Sequence, residues 1–243
     1  MRIEKFLADM GYGSRKEVKQ LLQSGFVWIN GVPCRKAGSQ VDPTQDEVQV
    51  GDTLVRYQKY AYYLLNKPEG IISATEDGYH QTVVDWMGEE YAHWELFPVG
   101  RLDIDTTGLL LMTNNGQLAH QLLSPKKKVS KLYQATIQGI VTQADVQRFA
   151  DGLDLGDFVT LPAQLTILAV DEQRQQSQIQ VEIWEGKFHQ VKRMFEAVDK
   201  TVTQLHRVSM GPLQLDTNLA IGEWRELTTV EQKALEPYGF SYE

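Results

Sequence analysis

The chain has 243 residues, 42% of them hydrophobic, and a formal net charge of −8 at pH 7, which suits one large domain or a small one followed by a larger one. Its single cysteine, Cys34, excludes an internal disulfide framework and a cysteine-built metal site, and reads as a structural residue near a strand end. No apolar run approaches the roughly 20 residues of a membrane span, and the opening Met1-Arg2-Ile3-Glu4-Lys5 lacks the apolar core of a signal peptide, so a soluble cytoplasmic protein without membrane association is expected.

In chain order, Ile3, Phe6, Leu7 and Met10 have helical spacing, and Gly11-Tyr12-Gly13 stops that helix. Ser14 is an N-cap for a second helix, and Glu17, three residues on, completes a capping box. Val18, Leu21 and Leu22 supply the buried side of this helix, while Arg15, Lys16 and Lys19 lie on its first turns. A strand Phe26–Ile29 then runs into the hairpin turn Asn30-Gly31, and Glu47 to Val50 alternates like an edge strand. Summed charge argues against a nucleic-acid partner, but the sum hides the distribution. Over residues 1–41, Arg2, Lys5, Arg15, Lys16, Lys19, Arg35 and Lys36 face only Glu4, Asp9 and Glu17. A basic head on an acidic body permits local phosphate binding.

This head resembles the S4-like RNA-binding domain, on the strength of Ser14-Arg15-Lys16, the helix through Leu22, and Gly25-Phe26-Val27-Trp28-Ile29-Asn30-Gly31. The resemblance implies a small N-terminal α/β domain over residues 1–58 whose Arg2, Lys5, Arg15, Lys16 and Lys19 touch an RNA backbone. It implies a partner class and no reaction. Tyr57-Gln58-Lys59 is the expected linker to a second domain, residues 59–243.

From Tyr60 to Leu65 a continuous apolar run has strand length and ends at the turn Asn66-Lys67-Pro68-Glu69-Gly70. Lys67 reads there as a solvated turn residue, with a phosphate contact as the alternative. Next comes Gly100-Arg101-Leu102-Asp103-Ile104-Asp105-Thr106-Thr107-Gly108-Leu109. This stretch reads either as an acid held beside a Thr-Thr-Gly turn on a rigid element, where a catalytic group can be aimed, or as a hairpin whose aspartates satisfy their own turn. Asn114-Asn115-Gly116 reads as another hairpin-type turn before a short helix, Gln117 to Leu123. Lys126, Lys127, Lys128 and Lys131 form a basic patch for which RNA-backbone contact is favoured over a merely solvated loop. Strands are expected at Tyr133–Ile137 and Ile179–Ile183, and an amphipathic helix at His189–Phe195. Lys192 and Arg193 fall near the start of that helix, where cations are unfavourable unless an anion is near. Strands at Gly211–Leu215 and around Trp224 and a closing helix capped by Thr228 complete an α+β body on a mixed or antiparallel sheet.

The sequence contains no phosphate-binding Gly-rich loop, no dinucleotide fingerprint, no metal-ligand spacing among its five histidines and no nucleophile elbow. The remaining inventory of carboxylates, lysines and tyrosines suits covalent or acid–base chemistry without a cofactor.

Three separated motifs resemble the RsuA-type pseudouridine synthases: Gly100 to Gly108, Lys131-Leu132-Tyr133, and Glu185-Gly186-Lys187-Phe188-His189-Gln190-Val191-Lys192-Arg193-Met194. Asn66 to Gly70 and Gly211-Pro212-Leu213 match as well. The resemblance implies isomerisation of a specific uridine in ribosomal RNA to pseudouridine, with base flipping and no cofactor or metal. It makes Asp103 the nucleophile, Tyr133 the aromatic residue that receives the base, and Lys192 the cation paired with Asp103. Arg101 orients the turn or holds a phosphate, Asp105 is structural, and His189 and Gln190 support the site. The compact length, with no basic tail after Glu243, favours 16S RNA, and the expected partner is ribosomal RNA or the assembling small subunit, met as a monomer. The same reaction on 23S RNA, a non-catalytic ribosome-assembly factor and a carboxylate glycosidase are the alternatives.

Overall fold

Ile3, Phe6 and Leu7 line one face of α1 (Ile3–Asp9), and Val18 and Leu22 line the facing side of α2 (Arg15–Ser24). The capping box at the start of α2 forms as expected: the Glu17 backbone N–H donates to Ser14 Oγ, and the Ser14 backbone N–H donates to the Glu17 carboxylate. Four short antiparallel strands follow, β1 (Val27–Ile29), β2 (Val32–Pro33), β3 (Val48–Val50) and β4 (Thr53–Val55), in the order β2-β1-β3-β4. The β1–β2 hairpin turns at Asn30 and Gly31, which both have positive φ, 51° and 75°, as a turn matching the twist of its strands requires. Val27, Val48 and Cys34 close the core against the two helices.

This computed structural model describes residues 1–241, and its chain divides into two units: Met1–Ala61 together with Met87–Leu96, and Tyr62–Trp86 together with Phe97–Phe240.

The second unit is built on a mixed sheet. Its strands are β5 (Tyr62–Lys67), β6 (Phe97–Pro98), β7 (Thr106–Thr113), β8 (Lys131–Gln138), β9 (Gln164–Asp171), β10 (Gln176–Ile183), β11 (Thr201–Met210), β12 (Leu213–Gln214) and β13 (Trp224–Glu226). The path runs β13-β5-β7-β11-β8-β10-β9, with β6 on β7 and β12 on β11. The architecture is α+β. The helices are α3 (Val83–Met87), α4 (Gly116–Leu123), α5 (Gln143–Asp151), α6 (Gln190–Glu196) and α7 (Thr229–Leu235). Every residue of β5 is buried, the pattern of a strand covered on both faces, whereas β10 alternates as a half-buried strand should.

The β7–β11 pairing is parallel, while β7–β5, β11–β8 and β8–β10 are antiparallel. Thr106-Thr107-Gly108 therefore does not form a turn; it opens β7. Gly108 has φ +104°, and a Cβ there would strike the Arg207 backbone, 2.7 Å from its nitrogen. Only glycine lets β11 approach so closely. Asn114-Asn115-Gly116 does not make a hairpin either. The Asn115 side chain accepts from Leu118 N at 3.0 Å and caps α4, so the chain leaves the sheet as a helix.

Candidate active site

The loop preceding β7 is clamped through its backbone. Ser73 Oγ donates to the Leu102 carbonyl at 2.9 Å and accepts from its N–H at 3.0 Å, and the Gly70 N–H donates to the Ile104 carbonyl at 2.8 Å. Lys67 contributes most. It is completely buried at the end of β5, and its ammonium donates to the carbonyls of Pro68, Asp103 and Thr106 at 3.0, 3.1 and 2.9 Å. Burial pushes this ammonium down to about 8, against the pull of Asp103, Asp105 and Glu69. The expectation of a solvated or phosphate-binding Lys67 is thus overturned. The lysine is an internal peg, because β5 runs two residues beyond its apolar stretch and carries the side chain beneath the loop.

With its backbone pinned, Asp103 presents a carboxylate that is 29% exposed, and Lys192 Nζ lies 3.2 Å from its Oδ2. Lys192 comes from the first turn of α6, and Val191, Met194 and Phe195 bury the other side of that helix. The ammonium is shared. It sits 2.6 Å from Asp105 Oδ1, closer than to Asp103, so Asp105 is a second acid of this cluster and not only a turn residue. Burial raises the Asp105 carboxyl, but the hydrogen bond and charge of Lys192 outweigh it and leave the group below its ordinary value. Lys192 itself, lowered by burial, is raised overall by Asp105 and Asp103. The cations at the start of α6 do have carboxylate partners, since Arg193 pairs with Asp157.

His189 caps α6 with φ +49°, lies 3.6 Å from Asp103 Oδ1 through Nε2, and stacks on the exposed Phe188 ring at 3.8 Å between centroids. Gln190 is buried. Its Oε1 accepts from Lys187 N at 3.0 Å and its Nε2 donates to Glu185 Oε1 at 2.9 Å, which holds the approach to the helix. Asp103 and Lys192 border a cavity of about 360 Å³ whose lining also includes Arg101, Tyr133, Leu205, Lys131 and Arg207. That volume lies within the range that holds a small ligand. Tyr133, on β8, stands opposite Arg207 on β11, with Tyr133 8% exposed.

The expected triad of Asp103, Tyr133 and Lys192 thus meets on one cavity, and the exposed Arg101 lines it too. The lysine run divides. Lys126, Lys127 and Lys128 are exposed on a 3-10 turn, Pro125–Lys127, and the residue after it, but Lys131 is 8% exposed and turned into the cavity. In the N-terminal unit Arg15 and Lys16 are exposed on α2, whereas Arg2 and Lys19 lie 3.6 and 3.8 Å from Glu4, and Lys5 lies 2.7 Å from Asp9. The residue types alone did not reveal Thr106, Lys131 and Arg207 as cavity residues. The traces were the motifs that contain Thr106 and Lys131 and the alternation of β8, which puts Lys131 on the same face as Tyr133.

The RNA pseudouridylate synthase pattern matches residues 61–197, and the S4 domain pattern matches residues 1–48. The chain belongs to the RNA pseudouridine synthase family. It is 47% identical, over 95% of its length and 96% of that protein, to the uncharacterized RNA pseudouridine synthase YtzG of Bacillus subtilis. The ribosomal small subunit pseudouridine synthase A of Escherichia coli is 38% identical over 95% of this chain and 98% of its own. The ribosomal large subunit pseudouridine synthase B of Bacillus subtilis is 37% identical over 96% and 95%. A crystal structure of a pseudouridylate synthase superposes with a TM-score of 0.67, at 34% identity, over 97% of this chain and 99% of that one. The protein is an RNA pseudouridine synthase with an N-terminal S4 domain, and its cavity is the candidate active site of that synthase.

Proposed function

We propose that this synthase isomerises a uridine of ribosomal RNA, with small-subunit RNA as its substrate and Asp103 as the nucleophile. In the net reaction the bond between the sugar anomeric carbon and ring nitrogen one breaks and a bond to ring carbon five forms. Carbon five gives up its proton and nitrogen one gains one, so no redox partner or cofactor is needed. Asp103 attacks the anomeric carbon or the base ring and is released again in either route. The observation that carries the reading is the backbone-clamped carboxylate of Asp103 on the cavity wall, 3.2 Å from the Lys192 ammonium. Lys192 sets an opposite charge beside that carboxylate, and a fixed geometry is what a nucleophile needs.

A target base reaches this cavity only by leaving its stack, at a cost of about a few kcal/mol. Tyr133 offers it an aromatic face, and the exposed Lys126, Lys127 and Lys128, which follow cavity-lining Ser124 and Pro125 in the chain, are available to the flanking backbone. Relatives named for the small subunit favour 16S RNA, and the large-subunit relative at 37% identity keeps 23S RNA as the second reading. Mapping pseudouridines in both ribosomal RNAs from cells lacking this protein decides between them: a missing modification in 16S RNA is expected, and one missing only from 23S RNA would transfer the substrate.

Lys192→Gln is expected to lower turnover by about 10²-fold, because Asp103 and Asp105 then lose the ammonium they share; turnover within a factor of two of the native enzyme would remove Lys192 from the chemistry. Replacing Lys126 and Lys127 together by Glu should weaken RNA binding and reduce its salt slope. Filter binding across a salt series checks this, and an unchanged slope counts against backbone contact by the patch.

A further inference from the structure

Asp103, Tyr133 and Lys192 leave the floor of the cavity unexplained. Arg207 of β11 and Lys131 of β8 line it there, 2% and 8% exposed. Each spends one donor on the backbone: Arg207 Nε on the Leu109 carbonyl and Lys131 Nζ on the Val129 carbonyl, both at 2.8 Å. Two like charges are thereby buried as neighbours, an arrangement that costs free energy unless something compensates it. Burial, and then Arg207, push Lys131 down to about 8, while Glu185 pulls it back.

The hydrogen-bond accounting points the same way. Among the described residues, three buried side-chain polar atoms have no partner, and two of them, Arg207 Nη2 and Thr106 Oγ1, belong to residues lining this one cavity. Thr106 is 2% exposed and starts β7 beside Leu205 of β11. Native proteins rarely leave such groups unmet, and each instance calls for a reason. The cavity wall thus carries, just beneath its surface, guanidinium and ammonium donors together with a hydroxyl that can accept or donate, the unpartnered atoms themselves being closed to solvent. The edge of a uracil ring carries a carbonyl, an N–H and a second carbonyl, which fits two strong donors and a hydroxyl acceptor. Cytosine puts an amino group in place of one carbonyl, so donor would face donor. Backbone phosphate is the poorer fit here, because the exposed lysines that would meet it are on the surface turn after α4.

We infer that Thr106, Lys131 and Arg207 read the edge of the flipped base and select uridine over cytidine. This inference rests on the synthase reading above and adds the residues that choose the base. Thr106→Val tests it with little risk to the fold, since the hydroxyl has no partner to lose and the replacement has the same shape; Arg207→Lys keeps the charge and removes the fork. Titration of the purified full-length protein with uridine monophosphate, cytidine monophosphate and ribose 5-phosphate provides the readout. The native protein should prefer the uridine nucleotide. Each variant should lose about tenfold in uridine affinity with ribose 5-phosphate unchanged. An equal fall for ribose 5-phosphate would make the floor a phosphate site. Unchanged uridine affinity in both variants, or no preference for the uridine nucleotide by the native protein, would overturn the inference. The synthase reading is scored separately, by pseudouridine formation in ribosomal RNA with the native protein.

Discussion

Asp103→Asn should abolish pseudouridine formation, lowering turnover by a factor on the order of 10⁴ or more, as loss of a covalent nucleophile does elsewhere. The amide has the same shape, and the loop that carries it is held by Lys67, Ser73 and Gly70 through backbone atoms that the substitution does not touch. Lys192 keeps Asp105 as a partner at 2.6 Å, so no buried charge is orphaned and the fold should persist. RNA binding should persist as well. Asp105→Asn is the discriminating control, because it too removes a carboxylate from Lys192. That variant should lose only about tenfold, through weaker placement of the ammonium. Chemical mapping of pseudouridine in ribosomal RNA, with both variants at matched concentration, measures the pair. Comparable losses in the two would mean that the acids work as a couple, and retained turnover in Asp103→Asn would transfer the nucleophile elsewhere.

Lys67→Met carries the second large effect, at a residue that never reaches the cavity. The substitution takes the donor away from three carbonyls, one of them that of Asp103 itself and another that of Thr106 at the start of β7. Leaving buried acceptors unmet should cost about 3 kcal/mol of stability even after the charge itself is removed. The loop would then lose its register, and a displacement of about 1 Å at a reacting atom lowers turnover by about 10²-fold. Urea unfolding and steady-state kinetics on the same preparation check both. The pH dependence has a definite sign. The folded ammonium titrates near 8, below its unfolded value of about 10.4, so between these values the unfolded chain binds more protons. Native stability from this group therefore rises as the pH passes from about 8 toward 10, and Lys67→Met should lack that rise. Equal pH dependence in the two proteins would show that Lys67 does not titrate in this window.

How far the chain could be read in advance depended on the range of each signal. Ser14 with Glu17, Asn30-Gly31, the Thr228 cap and the alternation along β10 are local signals, and the structure forms them as the local chemistry demands. The equally local cap of α5, Thr142 with Asp145, went unread because no long apolar stripe follows it. Asp103, Tyr133 and Lys192 were named through three spaced motifs, but their proximity depends on loop, strand and helix meeting across a sheet. The fate of the lysines could not be read at all. Lys67 and Lys131 look like Lys126 in the sequence. Burial separates them, and burial is set by strands 36 or more residues away along the chain, as the bond from Lys67 to Asp103 illustrates.

Sequence alone thus determined α1, α2 with its capping box, the closing helix, the half-buried β10 and the basic N-terminal head, and its family motifs named Asp103 as the candidate acid. Tertiary structure decided that Thr106-Thr107-Gly108 is strand, that Asn115 caps a helix, that Lys192 serves two carboxylates, and that Thr106, Lys131 and Arg207 line the cavity. The physical reason is that hydrogen bonds along the chain depend on neighbours in sequence, whereas desolvation, close backbone approach and unmet donors depend on which distant segment packs alongside.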